Sequence, residues 1–143
     1  MKKISVSNVQ EYNINGKVVI RFNPMDTGFV KRFLAACEEL AKRQEAFGKE
    51  AEEAQADNFF PVAEKADTDM REIINGLFGE DVCKPIFGEM HLTALSDGLP
   101  VWCNLMLAFM DEITETVEEV KGSKAEVNPK LQKYLAKFDK KGV

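Results

Sequence analysis

Apolar residues recur at intervals of three and four positions in four separate stretches of this 143-residue chain. This spacing places them on one side of an α-helix, because the helix repeats every 3.6 residues. The stretches are separated by proline and glycine residues, which mark helix boundaries. We therefore predict a mainly α fold of the α+β class, in which each helix buries one face. The four stripes begin at Phe29, Val62, Val101 and Leu131.

The first two helices have recognisable boundaries. Asp26 follows Pro24 and can cap the first helix, which is expected to run past Phe47 with a weak point at Gly48. Pro61 suits the first turn of the second helix. The stripes are Phe29, Phe33, Ala36, Cys37 and Leu40 in the first helix, and Val62, Ala66, Met70, Ile73, Ile74 and Leu77 in the second.

The second half of the chain predicts two further helices. Gly76 and Gly79 mark the end of the second helix, before a compact segment that forms a tight loop or a short helical turn. Ser96–Pro100 is expected to open the third helix, with Pro100 near its first position. The first half of that helix is apolar nearly all round, which is typical of a helix central to a core or an interface. A last helix is predicted over Lys130–Lys140.

A β-hairpin is predicted near the start of the chain. Asn15-Gly16 separates the β-prone runs Tyr12–Ile14 and Lys17–Phe22, and both residues of this pair tolerate the positive φ of a tight hairpin turn. A two-stranded hairpin is only marginally stable by itself. It must therefore lie on the helices or join a sheet made with other copies. The residues expected on one face of its second strand are Val18, Ile20 and Phe22.

The size and composition favour one folded domain. Hydrophobic residues make up 45% and charged residues 30% of the chain, a balance typical of a globular protein and not of a disordered one. We predict a single domain over residues 1–143. It would consist of a β-hairpin over 1–22, a helical core over 26–120 and a basic C-terminal helix over 128–141.

The charge is negative overall but uneven. A net charge of −5 repels polyanions on average, so nucleic acid is not an expected partner. Met1–Arg32 has six Lys and Arg against two acids, Glu38–Glu72 has eleven acids against five bases, and Lys121–Lys141 has seven lysines against two acids. Solvated helix faces would explain this pattern. Head-to-tail attraction between copies, or a basic tail that docks on an acidic partner, is the alternative explanation.

Nothing in the sequence predicts a membrane segment or a disulfide framework. The first residues include lysines but no apolar core after them, unlike a signal peptide. Leu99–Met110 is broken by Asn104 and is too short to span a bilayer. Cys37, Cys83 and Cys103 are odd in number and widely spaced, which favours reduced thiols. We therefore expect a cytoplasmic protein with no membrane partner.

The residue types of a catalytic or metal site are sparse. His91 is the only histidine. Together with Cys37, Cys83 or Cys103 it offers ligands that suit zinc, but no CxxC or HxxxH spacing supports such a site. Cysteines at apolar positions are usually core residues. No nucleophile elbow, phosphate-binding glycine loop, dinucleotide fingerprint or EF-hand loop is present. We predict no catalytic, cofactor-binding or metal-binding residue.

The predicted third helix also carries many carboxylates. A di-metal helical bundle would need Glu-x-x-His pairs on facing helices, and the single histidine excludes them. A solvated acidic face is the simpler interpretation. The carboxylates are those of Asp111, Glu112, Glu115, Glu118 and Glu119.

Two amphipathic segments are candidates for partner binding. Leu99–Met110 is either plain core or an adaptable groove, because methionine and aromatic side chains repack easily around different partners. The basic helix Lys130–Lys140 either docks within the chain or binds a partner. The predicted partner-binding residues are Phe29, Phe33, Trp102, Met106, Phe109, Met110, Leu131 and Tyr134.

Three segments, taken in order, resemble a known family. They are YNINGKVVIRFNPMDTGFVKRFLAACEEL, DTDMREIINGLFGEDVCKPIFGE and LPVWCNLMLAFMDEI. A short hairpin, an aromatic-rich helix, an isoleucine-rich helix running into an FG…C…FG loop and a helix with an early tryptophan resemble the tail assembly chaperones of long-tailed bacteriophages and prophages of Gram-positive bacteria. The resemblance covers most of Tyr12–Ile113.

The resemblance implies a role in tail assembly and does not imply an enzymatic reaction. Such chaperones coat the long, helical tape-measure protein, help to recruit the tail-tube protein and are absent from the finished particle. It also implies self-association, and a longer product made by a programmed frameshift. A structural tail or connector component is the first alternative. A small metal-binding protein or enzyme built around His91 and the cysteines is the second.

Overall fold

The computed structural model describes residues 1–2, 4 and 6–122, and it divides the chain into two compact units, Met1–Met106 and Leu107–Val143. Among the described residues the fold is mainly α with short hairpins, which confirms the predicted fold class. The elements are β1 Gln10–Ile14, β2 Val18–Phe22, α1 Thr27–Glu53, α2 Phe59–Phe78, α3 Cys83–Phe87, β3 Leu95–Ser96, β4 Leu99–Pro100 and α4 Val101–Gly122.

The predicted hairpin is confirmed as the antiparallel pair β1–β2, in which Ile14 lies opposite Val18. Asn15 and Gly16 have φ values of 54° and 69°. Positive φ at both central residues is what a type I′ turn requires, and its twist matches that of the strands. The loop between the paired residues Ile14 and Val18 has three residues, because Lys17 follows the Asn15-Gly16 pair and donates its N–H to the carbonyl of Ile14 at 2.9 Å.

One face of this hairpin packs on α1. Phe22 stacks on Tyr12 and on Phe29, with ring centroids 4.6 Å apart in each pair. Ile20 is 1% exposed, whereas Arg21 on the opposite face is exposed. Burying an apolar side chain of this size stabilises a fold by about 1.5–3 kcal/mol. The hairpin is thus held by contacts within the first unit.

The first helix begins where the sequence predicts. The carboxylate of Asp26 accepts a hydrogen bond from the backbone N–H of Gly28, at 2.9 Å, and so caps α1. The helix continues through the expected weak point at Gly48 and ends at Glu53. A good local cap and a buried stripe together outweigh the cost of one glycine in a helix interior.

The two long helices α1 and α2 pack on each other through their apolar stripes. At the edge of this contact, the guanidinium of Arg43 donates to Asp69 of α2 and to Glu50 of α1, at 2.9 Å in each case. The hydrogen bond from Arg43 holds the pKa of Asp69 below its ordinary value. The buried stripe residues are Phe29, Val30, Phe33, Ala36, Leu40, Ala63, Ala66, Met70 and Ile74.

The segment after α2 is predicted to form either a tight loop or a short helical turn. It contains the short helix α3. Gly79 caps α2 in the left-handed conformation, with φ 71° and its N–H bonded to the carbonyl of Asn75. The side chain of Asn75 also accepts hydrogen bonds from the N–H groups of Val82 and Cys83, at 2.9 and 3.1 Å. One α2 side chain therefore positions the start of α3.

The residues before α4 form a second hairpin that the sequence interpretation did not include. Strands β3 and β4 pair with Leu95 opposite Pro100, and the turn residues Asp97 and Gly98 have φ values of 55° and 80°. The helix itself begins at Val101, directly after Pro100, close to its expected start. Positive φ at both residues is shared with Asn15-Gly16, but here the two residues alone connect the paired Ser96 and Leu99.

The described part of the second unit is residues 107–122, the later turns of α4. Phe109, Ile113 and Val117 are buried and recur every four residues. The basic helix predicted over 128–141 lies outside the described residues, and the single domain over 1–143 stays a prediction. In the part of the chain that the structure describes, no helix combines the length and the apolar character needed to cross a bilayer.

Candidate functional site

The predicted partner-binding residues of the first unit are core residues in the structure. Phe33 is fully buried, and Phe29 packs between Phe22 and Phe33. The indole N–H of Trp102 donates to the side-chain carbonyl of Gln44 of α1, at 3.0 Å. The buried members of the predicted set in this unit are Phe29, Phe33, Trp102 and Met106.

The remaining predicted residues divide between described and undescribed positions. In the second unit, Phe109 is buried and Met110 is half-buried. Leu131 and Tyr134 lie outside the described residues. That these eight residues contact a partner stays a prediction. In the conformation described here, a partner would meet the exposed apolar side chains of the first unit instead.

Two adjacent phenylalanines at the start of α2 are the largest of these exposed side chains. Phe60 is 73% exposed and Phe59 is 37% exposed. Their rings meet edge to face with centroids 5.7 Å apart. Phe60 lies outside the apolar stripe that α2 buries against α1, so its ring does not belong to the core. An exposed aromatic pair of this kind is typical of a surface that a partner covers.

The second hairpin provides two more exposed apolar side chains. Leu95 of β3 is 71% exposed and Leu99 of β4 is 39% exposed. The hairpin is anchored by α4, because the N–H of Val101 donates to the carbonyl of Ala94 at 2.7 Å. The side-chain amide of Asn104 also donates to the carbonyl of Ser96, at 3.0 Å.

A row of polar side chains on α2 holds the segment that leads to this hairpin. The carboxylate of Asp67, which is 7% exposed, accepts hydrogen bonds from the N–H of Leu92 at 2.7 Å and from Arg71 at 2.9 Å. Arg71 in turn donates to the carbonyls of Gly88 and Met90, at 2.8 and 2.7 Å. A buried carboxylate needs such partners, and these partners tie the segment to α2.

The contact between Glu64 and His91 ties the segment before the second hairpin to the first turns of α2, and from it we infer that the two apolar groups lie towards the same end of α2. The carboxylate of Glu64 lies 2.9 Å from Nε2 of His91. Phe60 precedes Glu64 by one helical turn and so lies on the same side of α2. Leu95 follows His91 by four residues, after a turn closed by the N–H of Ala94 and the carbonyl of His91. We name Phe59, Phe60, Leu95 and Leu99 the apolar end surface.

The sequence contains a signal for each half of this surface. Phe60 is not part of the three- and four-residue stripe that starts at Val62. Phe59 lies three residues before Val62, in register with that stripe, and is nevertheless 37% exposed at the first position of α2. Asp97-Gly98 is a hairpin dipeptide of the same kind as Asn15-Gly16. What the sequence does not contain is the distance between the two halves, which depends on contacts between residues about 27 positions apart, such as Glu64 and His91.

Cysteine and histidine form no reactive or metal-binding cluster among the described residues. Within that part of the chain, no group of three or more His, Cys, Asp or Glu is placed to hold a metal ion. His91 pairs with Glu64 and not with a thiol. Burial raises the pKa of Cys37 to about 11 and that of Cys83 to about 12. These two thiols are therefore protonated at neutral pH, when a thiolate would be needed for attack or metal binding.

The carboxylates of the second unit are solvated, as the simpler interpretation predicts. Asp111, Glu112, Glu115, Glu118 and Glu119 are all exposed. Their side chains therefore lie at the surface, and within the described part of the chain they form no group placed to hold a metal ion.

Comparison of the chain with protein-family models, with curated proteins and with solved structures gave no match.

Proposed function

We propose that this chain is a non-enzymatic, cytoplasmic tail assembly chaperone of a bacteriophage or prophage, which binds the tape-measure protein in the bacterial host. The single observation that carries the proposal is the apolar end surface. It exposes two phenylalanine and two leucine side chains of the first unit, among which Phe60 and Leu95 are 73% and 71% exposed. Exposed apolar groups of this size indicate a site that polypeptide covers.

The chemistry of this surface fits a long helical client. An unassembled tape-measure helix carries apolar stripes, and covering them reduces aggregation. Aromatic and leucine side chains accept such a stripe without demanding one sequence. Four side chains give only modest affinity for each copy, but many copies on one long client bind with high avidity. Modest affinity also allows the tail-tube protein, the second implied partner, to displace the chaperone.

Co-expression with a tape-measure protein tests the proposal. The full chain should raise the soluble fraction of the client and should co-purify with it. The double variant Phe60→Asp/Leu95→Asp should lower the amount of bound client about tenfold or more, because central interface residues contribute about 1–2 kcal/mol each. Both positions are exposed, so thermal unfolding of the variant should match that of the full chain.

Val9→Asp provides the matched control. Val9 is 45% exposed and precedes β1, so the variant places the same charge on an apolar position away from the apolar end surface. It should bind the client like the full chain. A full chain that leaves the client insoluble contradicts the proposal, and so does a double variant that binds like the control. Abundant protein in purified particles, measured by mass spectrometry, would favour the structural tail component instead.

A further inference from the structure

The apolar end surface lies beside the most acidic stretch of the first unit. Between Lys49 and Lys65 the chain has five acidic residues and no basic one. Glu52 and Glu53 are exposed at the end of α1, and Asp57 is exposed in the turn that joins α1 to α2, two residues before Phe59. The side chain of Glu64 is 69% exposed. An occupant of this surface must therefore offer apolar side chains flanked by positive charges.

One segment of the chain itself has that composition. Residues 128–141 contain five lysines and one acid, Asp139. Leu131, Tyr134, Leu135 and Phe138 recur at three- and four-residue spacing, which predicts an apolar stripe with lysines around it. The segment lies outside the described residues. Its stripe and its charge are the complement of the apolar end surface.

We propose that residues 128–141 of one copy bind the apolar end surface of a second copy. Apolar contact supplies the attraction, while the opposite charges favour this partner and raise its association rate. A contact between two different surfaces of identical chains is head-to-tail, so it extends into rings or chains of copies. The inference rests on the proposed function, because it assigns a second occupant to the proposed client site.

The same contact regulates access to that site. A neighbour's basic segment covers the apolar end surface before a client is present, which keeps the exposed phenylalanine and leucine side chains out of water. A client that binds the same side chains must displace the segment. Client binding and self-association therefore compete, and the free energy of the contact between copies lowers the apparent affinity for the client.

Charge reversal in the full chain tests the contact. The acidic-side variant carries Glu52→Lys, Glu53→Lys and Asp57→Lys, and the basic-side variant carries Lys130→Glu, Lys133→Glu and Lys137→Glu. Sedimentation velocity should show concentration-dependent association of the unchanged chain, weakened by salt. Each variant by itself should associate about tenfold or more weakly. An equimolar mixture of the two variants should associate again, because each then meets its opposite charge on the other.

Recovery of association in the mixture would show that each variant is weakened by its reversed charge and not by misfolding. Circular dichroism should show that both variants remain folded. Phe60→Asp should also weaken association, whereas Val9→Asp should not. A chain that stays monomeric at every accessible concentration overturns the inference. Variants that associate like the unchanged chain, or a mixture that does not recover, overturn it as well.

The client experiment separates this inference from the proposed function. The basic-side variant keeps the apolar end surface intact and uncovered, so it should bind the client at least as well as the unchanged chain. If the chain binds the client but does not self-associate, the proposed contact between copies is wrong and the proposed chaperone function stands. If self-association follows the charge-reversal pattern but the chain binds no client, the proposed chaperone function is wrong and the contact between copies stands.

Discussion

The two hairpins of the first unit have the same turn chemistry and opposite relations to the core. Asn15-Gly16 and Asp97-Gly98 both place two consecutive residues at positive φ. The first hairpin buries Ile20 and stacks Phe22 on α1, whereas the second exposes Leu95 to 71% and Leu99 to 39%.

The first hairpin is therefore part of the core, whereas the second displays apolar side chains at the surface. A hairpin of two strands gains little stability from its own hydrogen bonds. The first is stabilised by burial, and its loss would expose the aromatic cluster on α1. The second is two residues per strand, and it is stabilised by backbone contacts with α4 and by the polar row on α2. Its leucines contribute little to the fold and are available to a partner.

The largest effect is expected from truncating the aromatic ring that joins the first hairpin to α1. Phe22→Ala removes the stacking partner of both Tyr12 and Phe29, and it should lower the free energy of unfolding by about 3–5 kcal/mol. Leu95→Ala in the second hairpin should change it by less than about 0.5 kcal/mol. Urea denaturation followed by circular dichroism measures both. Equal losses would mean that the two hairpins bury similar apolar surface, contrary to the structure.

A smaller effect is expected from the polar row that holds the segment before the second hairpin. Asp67→Ala leaves the buried N–H of Leu92 without its acceptor, which should cost about 1–3 kcal/mol. Glu64→Ala removes only an exposed contact with His91 and should cost about 0–1 kcal/mol. Amide hydrogen exchange at Leu92 should accelerate in the first variant and stay unchanged in the second. Unchanged protection in both would show that the segment is held by its apolar contacts.

The smallest effect is expected at the turns themselves. A Cβ added at Gly16 or at Gly98 would meet no atom within 4 Å, so substitution adds only backbone strain. Gly16→Ala should lower the free energy of unfolding by about 1 kcal/mol. Gly98→Ala should lower it by less than about 0.5 kcal/mol, because the second hairpin can open locally while the rest stays folded. Hydrogen exchange around residues 95–100 should then increase without a matching loss of global stability.

Local signals were sufficient for most of the elements. Asp26 caps α1 because its carboxylate reaches the N–H of Gly28 two residues away, and Asn15-Gly16 forms its turn because both residues tolerate positive φ. These interactions span a few positions, so a single sequence contains all their parts. The Asp97-Gly98 turn carried the same signal. Pro100 and the apolar run after it predict a helix in the same place, and that helix begins only at Val101, after the hairpin.

Periodicity was sufficient for the stripes but not for their exposure. The spacing of Phe29 and Phe33 predicts an apolar face equally well for a core and for a binding groove. Only the packing against α2 and the hairpin shows that both are buried. Trp102 is likewise buried, and its indole N–H donates a hydrogen bond to Gln44, 58 positions earlier. Burial depends on which faces meet, and spacing along one helix carries no information about that.

The sequence by itself therefore determined the helical class, the caps and turns, and the complementary charge of the acidic middle and the basic segment, because each depends on neighbouring residues or on sums of residues. The tertiary structure alone decided which apolar side chains stay in water. It did so through contacts such as Glu64 with His91 and Asp67 with Leu92, which join positions 27 and 25 residues apart. Bonds over such separations form only when the helices pack, so the apolar end surface is a property of the fold.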